Sequence, residues 1–379
     1  MVSRNARSVV SALAFGGLVS GALVAVPLAP AVACTSVLLP AKDGGFVYGR
    51  TLEFGLSLKS QIIVVPRGLS VTGTGPDGDV GKGGLVWTTK YAATGANALG
   101  LPVLLDGVNE RGLAGGLFNF PGFADFQPVP PDKGDRSIAS FEILSYILTS
   151  FATVDEVKAG LPQIIVSGVK LAAFGNMVPP LHVSVHDATG KSLVIEYTDG
   201  GKLNMYDNPT HVLTNAPEFP FHLKNLAQYQ YVTAAVLPPL KVGDTMLAAA
   251  SSGVGMNGLP GGFLATARFV RAYFAQANAP QLPTSAETVG LAFHIMNGFD
   301  LPPGSIGTSA AAGGEGGGVD GFETTEWTSV IDLKNLRYHI RTYENQDVRV
   351  VDLKKAAEGL KAIRFIPLDQ KPVVRELAP

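Results

Sequence analysis

The sequence predicts an α+β protein in which two mostly antiparallel β-sheets lie between two helical layers, a four-layer αββα sandwich. Two observations support this fold class. Strand and helix patterns follow one another in the order β, α, β, α, β, and the strand regions form long antiparallel meanders. Of the 379 residues, 46% are apolar and only 16% are charged, against about 25% charged in average globular proteins. This composition excludes a disordered chain.

The first 33 residues have the composition of a secretory signal peptide. Arg4 and Arg7 precede the apolar run Val9–Val26, and Ala31-Val32-Ala33 matches an A-x-A cleavage site. Glycine and serine interrupt the run, which disfavours a retained membrane helix. Removing this segment, with its two arginines and no acidic residue, changes the formal net charge from −2 to −4. We expect an exported protein, periplasmic or extracellular in a bacterium, without stable membrane insertion after processing.

The N-terminal part of the remaining chain is predicted to form a hairpin and a further strand. The three predicted strands are Thr35–Leu39, Phe46–Phe54 and Ser60–Pro66. Lys42-Asp43-Gly44-Gly45 is a typical hairpin turn between the first two. The hairpin places Arg50 and Glu53 on the strand antiparallel to that of Cys34. The glycine-rich, polar stretch Ser70–Gly84 is predicted to be a loop.

Helices and a second meander follow. Thr153 with Glu156, and Thr284 with Glu287, have capping-box spacing. The predicted helices are Ile138–Phe151, Thr153–Leu161, Phe219–Val236, Phe269–Asn278 and Thr284–Asn297. The predicted later strands are Leu181–His186, Ser192–Tyr197, Lys202–Tyr206, His211–Thr214, Ser329–Tyr343 and Val348–Leu353. Residues 34–379 are predicted to form a single domain, with a mobile glycine-rich loop at Gly307–Gly321.

Composition and motif spacing argue against several classes of partner. No block of lysine and arginine is long enough to follow a phosphate backbone, so nucleic acid is not expected. His182 and His186 lie in an alternating strand pattern and are interpreted as ordinary strand residues. The other histidines form no cluster in the sequence. No metal or other cofactor is therefore predicted.

Cys34 is the single cysteine of the chain, so an intramolecular disulfide is excluded. Cleavage after Ala33 would make it the first residue of the mature protein. Three interpretations are open: a small apolar residue near the junction, a lipid attachment site, or an N-terminal nucleophile. Lipidation usually requires a leucine-like residue three places earlier, where this chain has Ala31. In the third interpretation the α-amino group, with a reference pKa of about 7.7 to 8, takes the thiol proton.

Four ordered segments carry a resemblance to a known family. The segments are CTSVLLPAKDGGFVYGRTLE from Cys34, DGVNERGLAGGLFNFPG from Asp106, VLTNAPEFPFHLKNL from Val212 and GLPGGFLATARFVRA from Gly258. They resemble the choloylglycine hydrolase family, which includes bile salt hydrolases and penicillin V acylases. The resemblance extends from Cys34 to beyond Asn345 and implies the αββα fold of the N-terminal nucleophile hydrolases.

The resemblance also implies a role for each of six residues. Cys34 would be the nucleophile and its own amine the base, with Arg50 beside the sulfur favouring the thiolate. Glu53 stands where well-known members have an aspartate that hydrogen-bonds the terminal amine. The side-chain amide of Asn215 and the backbone N–H of Asn119 would form the oxyanion hole. Arg268 matches a second active-site arginine.

Together these features predict an exported cysteine amidohydrolase that cleaves a linear, non-peptide C–N amide bond through an acyl-enzyme, without a cofactor. The expected substrate is a small N-acyl amide with an apolar acyl group, of the conjugated bile salt, penicillin V or N-acyl homoserine lactone type. Asn119 favours the bile salt type. The resemblance further implies a homo-oligomer, a tetramer. A lipid-anchored binding protein tethered through Cys34 is the alternative.

Overall fold

Two large antiparallel β-sheets stack on each other in the computed structural model, which describes residues 33–55, 57–307, 322–368, 371–372 and 376–377. The predicted signal peptide up to residue 32 and residues 308–321 of the predicted glycine-rich loop lie outside the described residues.

Strands dominate the described part of the chain. The strands β1 to β20 are, in chain order, Cys34–Pro40, Phe46–Phe54, Gln61–Val65, Ser70–Thr74, Gly83–Thr88, Ala93–Ala96, Asp106–Asn109, Ala114–Asn119, Ser137–Ala139, Ile165–Ser167, Leu181–His186, Ser192–Thr198, Lys202–Asp207, Val212–Leu213, Leu240–Val242, Thr245–Leu247, Thr324–Asp332, Arg337–Thr342, Arg349–Asp352 and Arg364–Pro367. The helices α1 to α6 are Ile143–Ser150, Val154–Gly160, Phe219–Leu226, Ala265–Ala277, Ser285–Asn297 and Leu353–Ala357.

The layer order confirms the predicted αββα sandwich. One sheet has the strand order β14-β1-β2-β17-β18-β19, and the other has the order β13-β12-β11-β8-β7-β6-β3-β20. Helices α4 and α5 pack on the first sheet, and α1 packs on the second. Helices α1, α4 and α5 bury their apolar faces against the sheets, and the two sheets bury their inner faces against each other.

Side chains alternate along β2, so that one face of the strand contacts the second sheet and the other contacts α5. Arg50 points to the second sheet, where it donates to the carbonyl oxygens of Leu105 and Leu117. Gly49 points to α5, because a Cβ there would lie 3.3 Å from Cγ of Met296. The missing side chain lets the helix pack closely on the strand, so the inner face of β2 is held in place for the site.

Several predicted elements are confirmed, in some cases to the residue. Strand β2 and strand β11 have the predicted bounds, and α5 begins with the predicted capping box of Thr284 and Glu287. Helix α2 follows Thr153, whose side chain accepts from the N–H of Glu156.

Other predictions were wrong, and packing explains two of them. The supposed loop Ser70–Gly84 contains β4 and the start of β5, which pair with each other. Its glycines mark close backbone contact, since a Cβ on Gly75 would lie 2.5 Å from the oxygen of Gly83. The supposed single strand Ser329–Tyr343 is the hairpin β17–β18, whose turn is capped by Asp332 through the N–H groups of Lys334 and Asn335.

Two predicted helices are shorter than expected. The segment Ile138–Phe151 begins as β9, which pairs in parallel with β10, so the helix starts only at Ile143. Helix α3 ends at Leu226, and the rest of the predicted helix, up to Val236, contains only the short 3-10 turn Ala227–Tyr229. No helix of the described residues is both long and apolar enough to cross a membrane.

Candidate active site

The candidate site is centred on Cys34, the first residue of β1, which is 2% exposed. Strand β2 runs antiparallel to β1 and brings Arg50 close to the thiol. The guanidinium Nη2 of Arg50 lies 3.7 Å from Sγ of Cys34. The predicted nucleophile and the predicted cation are therefore in direct contact.

Arg50 is completely buried, and the second sheet holds its guanidinium in place. Nη1 donates to the oxygen of Leu105 at 2.6 Å, and the guanidinium lies over the rings of Phe118 and Trp327. Gly116 leaves the room for it, because a Cβ there would lie 2.8 Å from Nη1. A buried cation normally needs a negative partner. Burial lowers the pKa of Arg50, but the nearby negative charges of Cys34, Tyr48 and Asp106 outweigh this effect and raise the pKa above its ordinary value.

Asn215 follows β14 and joins Cys34 to two other predicted site residues. Its Oδ1 accepts from the backbone N–H of Cys34 at 2.8 Å and from Nη2 of Arg268 at 2.7 Å. Its Nδ2 donates to the carbonyl oxygen of Asn119 at 2.9 Å. These contacts fix the orientation of the amide and leave its second N–H without an acceptor among the described residues. That N–H could donate to a substrate oxygen.

Arg268 lies in the first turn of α4 and is 2% exposed. Its Nη1 donates to the backbone oxygen of Cys34 and to Oγ1 of Thr35, the latter at 2.8 Å. Arg268 thus holds the carbonyl group of Cys34, the hydroxyl group of Thr35 and the side-chain amide of Asn215. Burial lowers its pKa.

Ala33 is still attached in the described chain and shows the surroundings of the cleavage site. Its carbonyl oxygen accepts from the backbone N–H of Glu53 at 3.0 Å. Oε1 of Glu53 accepts from Oγ1 of Thr325 at 3.2 Å, while Oε2 has no hydrogen-bond partner among the described residues. Burial raises the pKa of Glu53 to about 8, although Arg268 acts in the opposite direction. The predicted hydrogen bond between Glu53 and the α-amine of Cys34 stays a prediction.

A second carboxylate, Glu323, lies near the same junction. It is fully buried, and neither of its oxygens makes a hydrogen bond of ordinary geometry within the described chain. Burial raises its pKa to about 7, and the charge of Arg268 and the N–H of Ala33 counteract this rise. Glu323 was not predicted from the sequence, because an acidic residue beside a glycine-rich stretch gives no sign of burial.

The thiol itself is desolvated. Burial raises the pKa of Cys34 above its ordinary value, and the nearby Arg50 lowers it in part. Arg50 therefore acts as predicted, because it lowers the pKa of the thiol. In the chain that retains Ala33, however, desolvation outweighs this effect.

The two histidines nearest to Asn215 in the sequence hydrogen-bond to groups other than the thiol. Nε2 of His222 donates to the backbone oxygen of Asn215 at 2.8 Å, and burial lowers the pKa of this histidine to about 4. His211 hydrogen-bonds to Oγ of Ser192 through Nδ1. No group of three or more His, Cys, Asp or Glu side chains in the described ranges is arranged to hold a metal ion.

Cys34 lies at the wall of a pocket that is apolar almost throughout. Its polar lining consists of Cys34, Arg50 and Asn119, and the other lining residues are Leu52, Phe54, Leu58, Ala98, Leu99, Leu101, Val103, Leu105, Leu117, Phe141, Leu171, Phe174, Pro179 and Leu181. A larger surface cleft with lysine and glutamate side chains shares only Leu99 with this pocket. An apolar group next to a polar reacting bond fits the pocket that contains the thiol.

Comparison with known families agrees with this geometry. The model of the linear amide C–N hydrolases, choloylglycine hydrolase family, matches residues 34–361. The chain belongs to the choloylglycine hydrolase family. It is thus a hydrolase of linear amide C–N bonds, as the sequence predicts.

Curated relatives and a solved structure match over most of their lengths. A bile salt hydrolase/transferase from Clostridium perfringens is 31% identical over 328 residues, which cover 85% of this chain and 93% of that protein. A penicillin V acylase from Pectobacterium atrosepticum is 26% identical and covers 100% of this chain and 93% of its own. The crystal structure of a mutant conjugated bile acid hydrolase from Clostridium perfringens has a TM-score of 0.76 at 30% identity, covering 91% and 100% of the two chains.

The structure brings all six predicted site residues together around the start of β1. Their individual roles in catalysis stay predictions. Beyond Glu323, the sequence analysis missed the backbone oxygens of Leu105 and Leu117, which bind Arg50 and have no sequence signal. It also missed Asp106, although an acid at the start of a buried glycine-rich motif could have been noticed.

Proposed function

We propose that the mature protein is an exported cysteine amidohydrolase that uses Cys34 as an N-terminal nucleophile. One observation carries the proposal. The nitrogen that becomes the α-amine after removal of Ala33 already lies 2.8 Å from Oδ1 of Asn215, on the residue whose thiol contacts Arg50 and lines the apolar pocket. After this cleavage Cys34 would supply both the nucleophile and the base, and the pocket beside its thiol would hold the acyl group.

The reaction follows from these positions. The α-amine takes the thiol proton, and the thiolate attacks the amide carbon to form a C–S bond. Nδ2 of Asn215 donates its second hydrogen to the resulting oxyanion. The C–N bond then breaks, and the α-ammonium gives its proton to the leaving amine. Water, deprotonated by the α-amine, cleaves the thioester and releases the carboxylic acid.

The proposed substrate is an N-acyl amide whose acyl group is apolar. The pocket wall supports this choice, since only Cys34, Arg50 and Asn119 interrupt its apolar lining. Conjugated bile salts lead the candidates, because relatives at 31% identity are bile salt hydrolases. Penicillin V and N-acyl homoserine lactones share the same arrangement of an apolar acyl group and an amide.

A parallel hydrolysis assay with glycocholate, penicillin V and a long-chain N-acyl homoserine lactone tests the proposal. We expect turnover of at least one, together with a mass increase on Cys34 equal to the acyl group after rapid acid quenching. No turnover of any of the three, with no such adduct, would contradict the proposed function. Intact mass before the assay also tests the lipid-anchor alternative, because lipidation adds acyl chains to the resting protein.

We further propose that the protein forms a homo-oligomer. The hairpin β15–β16 supports this, since Leu240 and Met246 are more than half exposed. Sedimentation equilibrium tests it, and a monomer at micromolar concentration would contradict it.

A further inference from the structure

A histidine and a glutamate that the proposed reaction does not use are buried beside the oxyanion donors. His182 on β11 and Glu196 on β12 have completely buried side chains, and Nδ1 of the imidazole lies 3.2 Å from Oε1 of the carboxylate. A buried pair of this kind contributes little net stability, because desolvation offsets the attraction between its members. Its contacts with the rest of the site therefore suggest a second role.

His182 contacts the chain on both sides of the proposed oxyanion hole. Its Nε2 lies 3.1 Å from the backbone oxygen of Thr214, the residue before Asn215. A carbonyl oxygen only accepts, so Nε2 carries a hydrogen. The imidazole also stacks on Phe120, the residue after Asn119, with ring centroids 4.3 Å apart and planes 3° from parallel.

Glu196 fixes the orientation of this imidazole. Its Oε1 also accepts from the backbone N–H of Phe219 at 3.0 Å, at the start of α3. The carboxylate therefore connects His182 to the helix that begins four residues after Asn215. The pair therefore holds the chain before Asn215, at Thr214, and after it, at Phe219.

We propose that His182, held by Glu196, is a positioning residue that sets the distance between Asn215 and Asn119. This inference rests on the proposed function, in which Nδ2 of Asn215 binds the oxyanion, and on the sequence prediction that the backbone N–H of Asn119 is the second donor. Such donors must lie about 2.7 to 3.1 Å from the oxyanion, and a misplacement of about 1 Å can cost roughly a hundredfold in rate. Since the oxyanion exists only after attack, a displaced donor lowers kcat and leaves KM unchanged.

Two substitutions separate the contacts of the imidazole. In His182→Gln the amide N–H can take the place of Nε2 and donate to Thr214, whereas in His182→Asn it can reach only the position of Nδ1. We expect kcat to fall at least tenfold in His182→Asn with KM within twofold of the unsubstituted enzyme, and His182→Gln to recover at least threefold. Unchanged kcat in His182→Asn, or equal kcat in the two variants, would overturn the inference.

His186 provides the matched control. It is equally buried on the same strand, but it hydrogen-bonds to Ser184 and Ser192 and not to the residues beside the oxyanion donors. We expect His186→Asn to keep kcat within twofold even if it loses stability in urea. A fall in kcat as large as that of His182→Asn would show a general loosening of β11 and overturn the inference.

Two further measurements keep the test decisive. If neither His182 variant folds, Glu196→Gln replaces them, and a kcat equal to that of the unsubstituted enzyme overturns the inference. The acyl adduct on Cys34 is measured in parallel. Its absence in the unsubstituted enzyme contradicts the proposed function, whereas its presence with unchanged kcat in His182→Asn contradicts only the positioning role.

Discussion

Replacing Asn215 with alanine removes the central hydrogen-bonded side chain of the site. The variant loses the contacts of Oδ1 with Cys34 and Arg268 and that of Nδ2 with Asn119. Each buried partner left unsatisfied costs about 1 to 3 kcal/mol, and water entering the vacated space compensates in part. We expect the free energy of unfolding to fall by about 2 to 5 kcal/mol.

The effect of Asn215→Ala on catalysis is expected to be separate from this loss of stability. Removing one oxyanion donor typically lowers kcat by about 10² to 10³. The assay is steady-state hydrolysis of the best substrate, with urea unfolding on the same samples. Wild-type kcat in a folded Asn215→Ala variant would show that Asn215 is not an oxyanion donor and leave it as a turn residue only.

Asn208 is a suitable control for the same experiment. Its side chain is also buried, and its Oδ1 and Nδ2 bind the N–H of Thr210, the N–H of His211 and the oxygen of Val212, each at 3.0 Å. We expect Asn208→Ala to lose a similar amount of stability and to keep kcat within twofold.

Three other substitutions test separate parts of the site. Cys34→Ser is expected to fold but to lose nearly all amidase activity, and wild-type turnover would remove Cys34 from the mechanism. Arg50→Met is expected to raise the pKa of the thiol, because the cation 3.7 Å from Sγ is lost, and thus to slow alkylation by iodoacetamide at pH 7 at least tenfold. Arg271→Met, on the same helix as Arg268, is the control, and an equal effect there would contradict this account. In the form that retains Ala33, burial raises the pKa of Glu53 from 4.5 to about 8, so the folded state binds the proton more tightly than the unfolded chain. Its contribution to stability is therefore complete below pH 4.5 and is lost as pH rises toward 8. Glu53→Gln is expected to flatten this part of the urea stability profile, and parallel profiles for the two proteins would show that Glu53 does not titrate in this range.

The sequence predicted those parts of the fold that depend on local signals. Alternation and turn residues identified β2 and β11, and a capping box identified α5. Strands β6 to β8 were missed, because segments such as Ala114–Asn119 are rich in glycine and small residues. One of these glycines, Gly116, leaves room for the guanidinium of Arg50, and no local sequence pattern reveals this distant contact.

The residues of the candidate site were predicted from the sequence, but the hydrogen bonds between them were not. Motif resemblance identified Asn215 and Arg268, whereas the hydrogen bond between their side chains arises from the packing of α4 beside β14. His182 was interpreted as an ordinary strand residue. Its place in β11 was correct, but its contacts with Thr214 and Phe120 depend on three-dimensional neighbours far away in sequence.

If the α-amine of Cys34 is the catalytic base, a protein whose chain extends beyond Cys34 at the N-terminus must be inactive. One form carries Met-Ala permanently before Cys34, and the other begins with Met before Cys34 and is trimmed to the free cysteine. The extension converts a basic amine into a peptide N–H, which cannot accept a proton. The fold accommodates the added alanine, since the oxygen of Ala33 is bound by the N–H of Glu53.

Turnover, N-terminal mass and circular dichroism are measured on both forms. We expect equal folding, full activity in the trimmed form and no turnover in the extended form. Equal turnover in a form whose extension is shown by mass to remain attached would show that the α-amine is not the base.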